Sequence, residues 1–137
     1  MNIVHKLAGI GAATALAAIT VSVVAPQASA ATYNGACGTG YTVIDHMAVG
    51  GTQQATTYLT YKGGWDCVVT IANSPGTSQY LETDIELSGS GTWHEQSGNF
   101  KVYAGPVYLD APHHCVDWGG YAGFSGIVDL QWNDHCS

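Results

Sequence analysis

The sequence predicts an all-β fold: a single small, disulfide-bonded antiparallel β-sandwich or barrel that follows a cleaved signal peptide. Short runs of alternating polar and apolar residues, typical of half-buried strands, recur along the chain. Glycine-rich turns separate these runs about every 8–12 residues, the spacing found in small sandwiches and barrels. No segment after residue 30 has the period of an amphipathic helix.

The first 30 residues are typical of a secretory signal peptide. Lys6 precedes an alanine-rich apolar run over 7–25, Pro26 ends that run, and Ala28-Ser29-Ala30 forms a small-residue cleavage site. A membrane anchor is the alternative, because the run is nearly long enough to span a bilayer. Its glycines, threonines and serine lower its hydropathy, however, and no basic residue follows it closely. We therefore predict a signal peptide over 1–30, an exported β-domain over 31–137, and no stable membrane insertion after cleavage.

The charge of the chain excludes one class of partner. The formal net charge is −7, and the only basic residues are Lys6, Lys62 and Lys101. Without a basic surface the protein has nothing with which to neutralise a phosphate backbone, so nucleic acid is not expected as a partner. Anionic lipid is disfavoured for the same reason.

The four cysteines all follow the predicted cleavage site. An even number of cysteines in an exported chain predicts disulfides. Of the three possible pairings we favour Cys37–Cys67 with Cys115–Cys136, because each joins near neighbours in sequence. Each bridge would stabilise a small domain by roughly 2–4 kcal/mol.

The alternation and the turn residues place the strands along the chain. We predict strands at 41–49, 56–61, 67–71, 79–87, 100–103, 107–109, 115–118 and 127–132. Turns are predicted at 62–64, 73–76, 88–91 and 97–99, each containing glycine, and at the two glycines that follow Trp118. Pro106 lacks a backbone donor, so its segment belongs at a sheet edge or a bulge.

The strand over 79–87 carries a row of acids. Leu81, Thr83, Ile85 and Leu87 share one face, and Tyr80, Glu82, Asp84 and Glu86 share the other. We expect the acidic face to be solvated, as charged residues on half-buried strands usually are. Carboxylates at this spacing would also suit glycoside hydrolysis or a hard cation such as calcium.

The histidines and serines form no recognisable catalytic or metal-binding motif. In an extended segment His113 and His114 point to opposite faces, and a disulfide-bonded Cys115 is no thiolate ligand, so we predict no metal there. A metal built from one of them with His94, His135 or a carboxylate stays open. Ser125 lacks the context of a nucleophile elbow. We therefore predict no catalytic residue and no cofactor.

Aromatic residues are numerous, with four tryptophans and eight tyrosines. Trp132 alternates with Leu130 and Val128, which predicts that it points into the core. Trp118 is also expected to be buried, although its position at a strand end would allow it to bind a ligand instead. If exposed, such rings would form a stacking platform for sugars or a partner surface. The candidate ligand-binding residues are Asp117, Trp118, Tyr103 and Tyr108.

Several motifs together resemble the spore-associated protein A family of small exported actinobacterial proteins. They are Tyr33-Asn34-Gly35-Ala36-Cys37-Gly38, Cys67-Val68-Val69-Thr70, Tyr103-Ala104-Gly105-Pro106-Val107-Tyr108 and Cys115-Val116-Asp117-Trp118-Gly119-Gly120. The resemblance extends over the chain after residue 30. It implies a disulfide-bonded protein at the spore or cell surface, with no transferable reaction.

We therefore expect a secreted structural or binding protein of the spore or cell surface, with cell-wall or spore-surface components as partners. One alternative is a small wall- or polysaccharide-acting hydrolase that uses two of Glu82, Glu86 and Glu95. The other is an extracellular protease inhibitor that presents the loop over 112–115.

Overall fold

The computed structural model describes residues 29–51, 54–123 and 128–136. Within these ranges the protein contains no helix and forms two four-stranded antiparallel sheets, which confirms the predicted sandwich. The strands are β1 (Thr42–Val49), β2 (Ala55–Lys62), β3 (Trp65–Ala72), β4 (Gln79–Leu87), β5 (His94–Phe100), β6 (Tyr103–Asp110), β7 (Val116–Ala122) and β8 (Asp129–Asp134). No membrane-spanning helix is found among the described residues. All but two residues of the predicted signal peptide lie outside them.

Sheet A has the strand order β1-β2-β3-β6, and sheet B has the order β5-β4-β7-β8. The core lies between the two sheets. Leu59 and Val68 of sheet A pack there against Ile85 and Trp118 of sheet B, all fully buried. Leu81 anchors a second apolar cluster further along the same interior. The predicted inward face of β4, which carries Leu81, Thr83 and Ile85, is therefore confirmed.

Part of the outer face of sheet A is covered as well. The segment before β1 lies on its outer face, where Tyr33 and Cys37 pack in a cluster with Tyr58 and Val69. The disulfide between Cys37 and Cys67 fastens this segment to β3. A second disulfide joins Cys115 to Cys136, so both predicted pairings are confirmed.

Two glycines predicted to form a turn lie inside β7 instead. Gly120 is opposite Thr83, and a Cβ there would stand 2.4 Å from Thr70 Oγ1. A Cβ on Gly119 would stand 1.9 Å from the carbonyl oxygen of Asp129. These positions need glycine because neighbouring atoms approach the backbone closely, not because the chain turns.

The predictions for residues 97–103 were also wrong. Ser97-Gly98-Asn99 lies within β5, and the chain turns between Phe100 and Tyr103. β5 has mostly exposed polar side chains and thus no apolar alternation to mark it. Pro106 does lie in an edge strand, β6, close to an irregularity in the pairing of β6 with β3, as expected.

Candidate functional site

The outer face of sheet B is the most distinctive surface of the described molecule. Glu82, Asp84 and Glu86 project from β4 onto this face, opposite the core-facing Leu81 and Ile85. The prediction that these acids are solvated was wrong for two of them: Asp84 is 5% exposed and Glu86 is 3% exposed. Something on the outer face therefore shields them from water.

Asp84 is shielded by apolar side chains that come from the two edges of sheet B. Trp93 precedes β5, and Leu130 and Trp132 belong to β8; with Val128 they line one cleft above β4. Trp132 was predicted to point into the core, but it lies on this outer face and is 63% exposed. Alternation shows that Val128, Leu130 and Trp132 share a face, but it does not show which face that is.

This acidic cleft, lined by Glu82, Asp84, Trp93, Glu95, Val128, Leu130 and Trp132, has a volume of about 260 Å³. Strand pairing sets Glu95 directly opposite Asp84, and sets Gly119 on the other side of Asp84. Leu130 pairs with Gly119, and its side chain leans over this residue, which has none. One oxygen from each of Glu82, Asp84 and Glu95 lies within 4.8 Å of the others.

Asp84 is the most perturbed acid of the cleft. Burial, reinforced by the neighbouring charges of Glu82 and Glu95 and by a side-chain hydrogen bond with Glu82, raises the pKa of Asp84 to about 7. Its Oδ2 atom is buried and has no hydrogen-bond partner. Buried carboxylate oxygens are nearly always hydrogen-bonded, so the unsatisfied oxygen is unusual for a folded protein.

The neighbouring acids have structural partners instead. Asp117 Oδ1 accepts hydrogen bonds from Ser88 Oγ and from the backbone N–H of Asn133, both at 2.6 Å, and Oδ2 accepts one from Gly89. Burial opposes ionisation of Asp117, but these hydrogen bonds outweigh it and lower its pKa. Glu86 accepts a hydrogen bond from Ser90 Oγ at 3.0 Å. These contacts hold the 88–90 turn and β8 in place beside the cleft.

Two aromatic pairs lie on the same face. The rings of Trp93 and Trp132 meet edge to face, with centroids 6.0 Å apart. These residues come from opposite edges of sheet B, so their rings meet above the two central strands. Tyr80 and Tyr121 form a second pair, with centroids 5.8 Å apart, beside a depression of about 300 Å³. Tyr80 Oη also donates a hydrogen bond to Glu82.

The four candidate ligand-binding residues do not come together. Trp118 is fully buried and donates from Nε1 to Asp134, so its ring presents no stacking face. Asp117 is buried in the network described above. Tyr103 and Tyr108 are partly exposed, but they belong to β6 of the opposite sheet. The outer face of sheet B is formed instead by Trp93 and Trp132, which the sequence did not single out for binding.

The histidines fall in two environments. His113 and His114 are exposed in the turn between β6 and β7, which is also the predicted inhibitor loop. His135 lies near two carboxylates, with Nε2 at 3.6 Å from Asp45 and 3.5 Å from Asp134. Ser125 lies outside the described residues.

Comparison with known proteins identifies a relative of this chain. It is 43% identical over 120 residues to a protein named Spore-associated protein A from Streptomyces coelicolor. The match covers 81% of this chain and 73% of that protein. No protein-family profile matches the chain. No solved structure matches it either.

Proposed function

Because this chain belongs to the spore-associated protein A family, we propose that it is an exported protein of the spore or cell surface. We propose in addition that the outer face of its sheet B binds a saccharide of that surface. The name of the relative and the two disulfides support the location, since disulfides persist outside the cytoplasm. The proposed partner is a glycan of the cell wall or spore envelope.

The Trp93–Trp132 pair is the observation that carries this proposal. Trp132 leaves most of its surface in contact with water, although burial of a tryptophan is strongly favourable. Large exposed rings beside a polar cleft are typical of binding surfaces, because the ring faces cover apolar parts of a ligand while nearby polar groups fix its orientation. Glu82 and Glu95 supply hydrogen-bond acceptors for sugar hydroxyls at that position.

The length of this face favours a polysaccharide strand over a single small sugar as the ligand. Trp93 directly precedes His94, which pairs with Ile85, and Tyr80 lies five residues before Ile85 on β4. Five residues of strand extend over about 17 Å. A polysaccharide strand laid along β4 would contact both aromatic pairs.

Charge restricts the class of saccharide. The face carries three carboxylates in the cleft, and the whole chain has a net charge of −7. Anionic polymers would be repelled. We therefore expect neutral glycans or glycans with free amino groups to bind, and anionic wall polymers to be excluded.

Co-sedimentation with insoluble polysaccharide tests the proposal. Purified protein is mixed with peptidoglycan sacculi stripped of anionic polymers, with chitin and with cellulose, and the bound fraction is measured. We expect retention on at least one of these, and at least a tenfold weaker affinity for Trp132→Ala. Trp65→Ala is the matched control, because Trp65 is an exposed tryptophan of sheet A. Equal binding by both variants, or no binding to any polymer, would contradict the proposal.

Hydrolysis of the bound saccharide is a second candidate function, and the environment of Asp84 favours it. A retaining glycosidase pairs a protonated acid with an ionised carboxylate about 5–5.5 Å away. The raised pKa of Asp84 and its position beside Glu95 fit these two roles. Glu86, one of the predicted candidates, is buried and bonded to Ser90 and lies outside the cleft lining. Release of reducing ends by the wild type but not by Asp84→Asn would establish hydrolysis; retention without release would exclude it.

A further inference from the structure

We propose that Glu82, Asp84 and Glu95 bind a calcium ion at the floor of the acidic cleft. The inference concerns an ion, not a saccharide, and it does not depend on saccharide binding. Calcium takes six to eight oxygen ligands at about 2.3–2.6 Å in flexible geometry. The three carboxylates would supply part of this shell, and water or a ligand hydroxyl would complete it.

The spacing of the three carboxylates fits one ion. Two oxygens bound to the same calcium can be at most about 5 Å apart, which is twice the metal–oxygen distance. The candidate oxygens of Glu82, Asp84 and Glu95 all lie within 4.8 Å of one another. The strand pairing fixes this spacing, because Glu95 lies opposite Asp84 and Glu82 is two residues along β4.

The unsatisfied oxygen of Asp84 independently indicates a missing partner. Asp84 is 5% exposed, it lines the cleft, and its Oδ2 atom has no hydrogen bond. The Asp84 carboxyl has a side-chain hydrogen bond with Glu82, but a buried carboxylate oxygen that keeps no partner of its own is still costly. A cation in the cleft would supply that partner and would leave Glu82 and Glu95 to complete the contact from the solvent side.

The charges around the cluster favour a hard cation. Within the part of the chain that the structure describes, no lysine lies within ion-pair distance of these carboxylates. The ion pairs among the described residues join His135 to Asp45 and Asp134, away from the cleft lining. Lys62 instead donates to the carbonyl oxygen of Thr39. All three ligands are oxygens, with no imidazole or thiolate, which favours calcium over zinc. An open site on an extracellular module would bind calcium with a dissociation constant of about 10⁻⁴–10⁻³ M.

A second cluster provides an internal comparison. Asp45, Asp134 and His135 also lie close enough to share an ion. None of the three residues is deeply buried, and Asp134 already accepts a hydrogen bond from Trp118. His135 Nε2 is a buried atom without a hydrogen-bond partner, so this cluster must be tested beside the cleft. Asp45 can therefore be changed to test whether an ion binds at this cluster instead of the cleft.

Terbium luminescence tests the proposal, because Tb³⁺ replaces Ca²⁺ and is sensitised by nearby tryptophan. The purified protein, freed of divalent ions with EGTA, is titrated with TbCl₃ under tryptophan excitation and without saccharide. We expect saturable emission that Ca²⁺ displaces, and at least tenfold weaker binding for Asp84→Asn, with Asp45→Asn unchanged. Absence of sensitised emission, or weakening by Asp45→Asn but not Asp84→Asn, would overturn the proposal.

Calorimetry distinguishes a variant that has lost calcium binding from one that folds poorly. Ca²⁺ is added at 10 mM, an excess of about ten- to a hundredfold over the expected dissociation constant. It should raise the Tm of the wild type and of Asp45→Asn but leave the Tm of Asp84→Asn unchanged. A Tm that does not respond to Ca²⁺ in the wild type, or that responds equally in Asp84→Asn, would contradict the site. Bound calcium would also keep Asp84 ionised, which is incompatible with its acid role in hydrolysis.

Discussion

Four acidic side chains are buried in the described part of this small domain, and their partners differ. Asp117 accepts three hydrogen bonds and has a lowered pKa. Asp66 and Asp84 each keep a buried oxygen without a partner, and burial raises their pKa values to about 6 and about 7. Sequence could place Asp84 and Glu86 on one face of a strand. It could not predict their burial, because residues far along the chain cover that face.

The first prediction concerns Asp66, which is 3% exposed in the interior of the sandwich. Burial raises its folded pKa from 3.8 to about 6, and the charge of His135 offsets part of that rise. Between pH 4 and pH 6 the carboxyl of Asp66 is ionised in the unfolded chain but still protonated in the folded protein. The free energy of unfolding should therefore fall as the pH rises from about 4 to 6, by about 3 kcal/mol for this group.

Urea unfolding of wild type and Asp66→Asn between pH 4 and pH 7, in EGTA, checks this. Asp84 acts in the same direction, so the difference between the two proteins is the relevant quantity. It should grow in favour of Asp66→Asn as the pH rises. A difference that does not vary with pH would show that Asp66 ionises normally in the folded protein.

The second prediction concerns Gly120, which lies between Thr57 and Thr70. The hydroxyls of these threonines are 2.8 Å apart, and an added Cβ would lie 2.4–2.5 Å from both. We expect Gly120→Ala to lower the free energy of unfolding by about 2–3 kcal/mol through overpacking. Gly51→Ala should change it little, because nothing lies within 4 Å of a Cβ there. Equal values for both variants, measured by urea titration, would contradict this packing.

At the scale of elements, the hairpin of β4 and β5 builds the acidic cleft. The turn over 88–91 was predicted correctly from its glycines, but the strand that follows it was not. Folding the chain back at the middle of that turn already sets Glu95 opposite Asp84 and Trp93 opposite Glu86. The observed register pairs Asp84 with Glu95 and Ile85 with His94, the residue that follows Trp93. The signal for the site was thus present in the sequence, but the polar composition of β5 concealed the strand that completes it.

Strand β8 illustrates a limit of alternation as a signal. Val128, Leu130 and Trp132 were assigned to the core because an apolar face normally points inward. In the structure the inward positions of sheet B are already filled by Trp118 and Ile85. The apolar face of β8 therefore covers the carboxylates of the outer surface. Only the packing of both sheets decides between these two faces.

At the scale of the whole molecule, the two outer faces are built differently. The segment before β1 covers part of sheet A and is held by the Cys37–Cys67 disulfide, whereas the outer face of sheet B carries the cleft. The resemblance in the sequence led to the correct family, and the cysteine order led to the correct disulfides. Neither led to the cleft, which depends on contacts between strands.

The third prediction separates these two faces. Replacing Cys37 and Cys67 together with alanine should lower the free energy of unfolding by about 2–4 kcal/mol. Polysaccharide binding by the folded variant should be unchanged, because the cleft lies on the opposite sheet. Chemical denaturation and co-sedimentation measure the two effects. Loss of binding by a variant that is still folded would show that the segment before β1 contributes to the site.

The claim that the outer face of sheet B is a binding surface is tested most directly by the indole N–H signals of the four tryptophans. In ¹H–¹⁵N NMR spectra recorded with chitotetraose or muramidase-released wall glycan, we expect the signals of Trp93 and Trp132 to shift. Trp118, which is buried and bonded to Asp134, and Trp65 on sheet A serve as references that should not move. No shift with either glycan, or a shift confined to Trp65, would contradict the assignment of this surface.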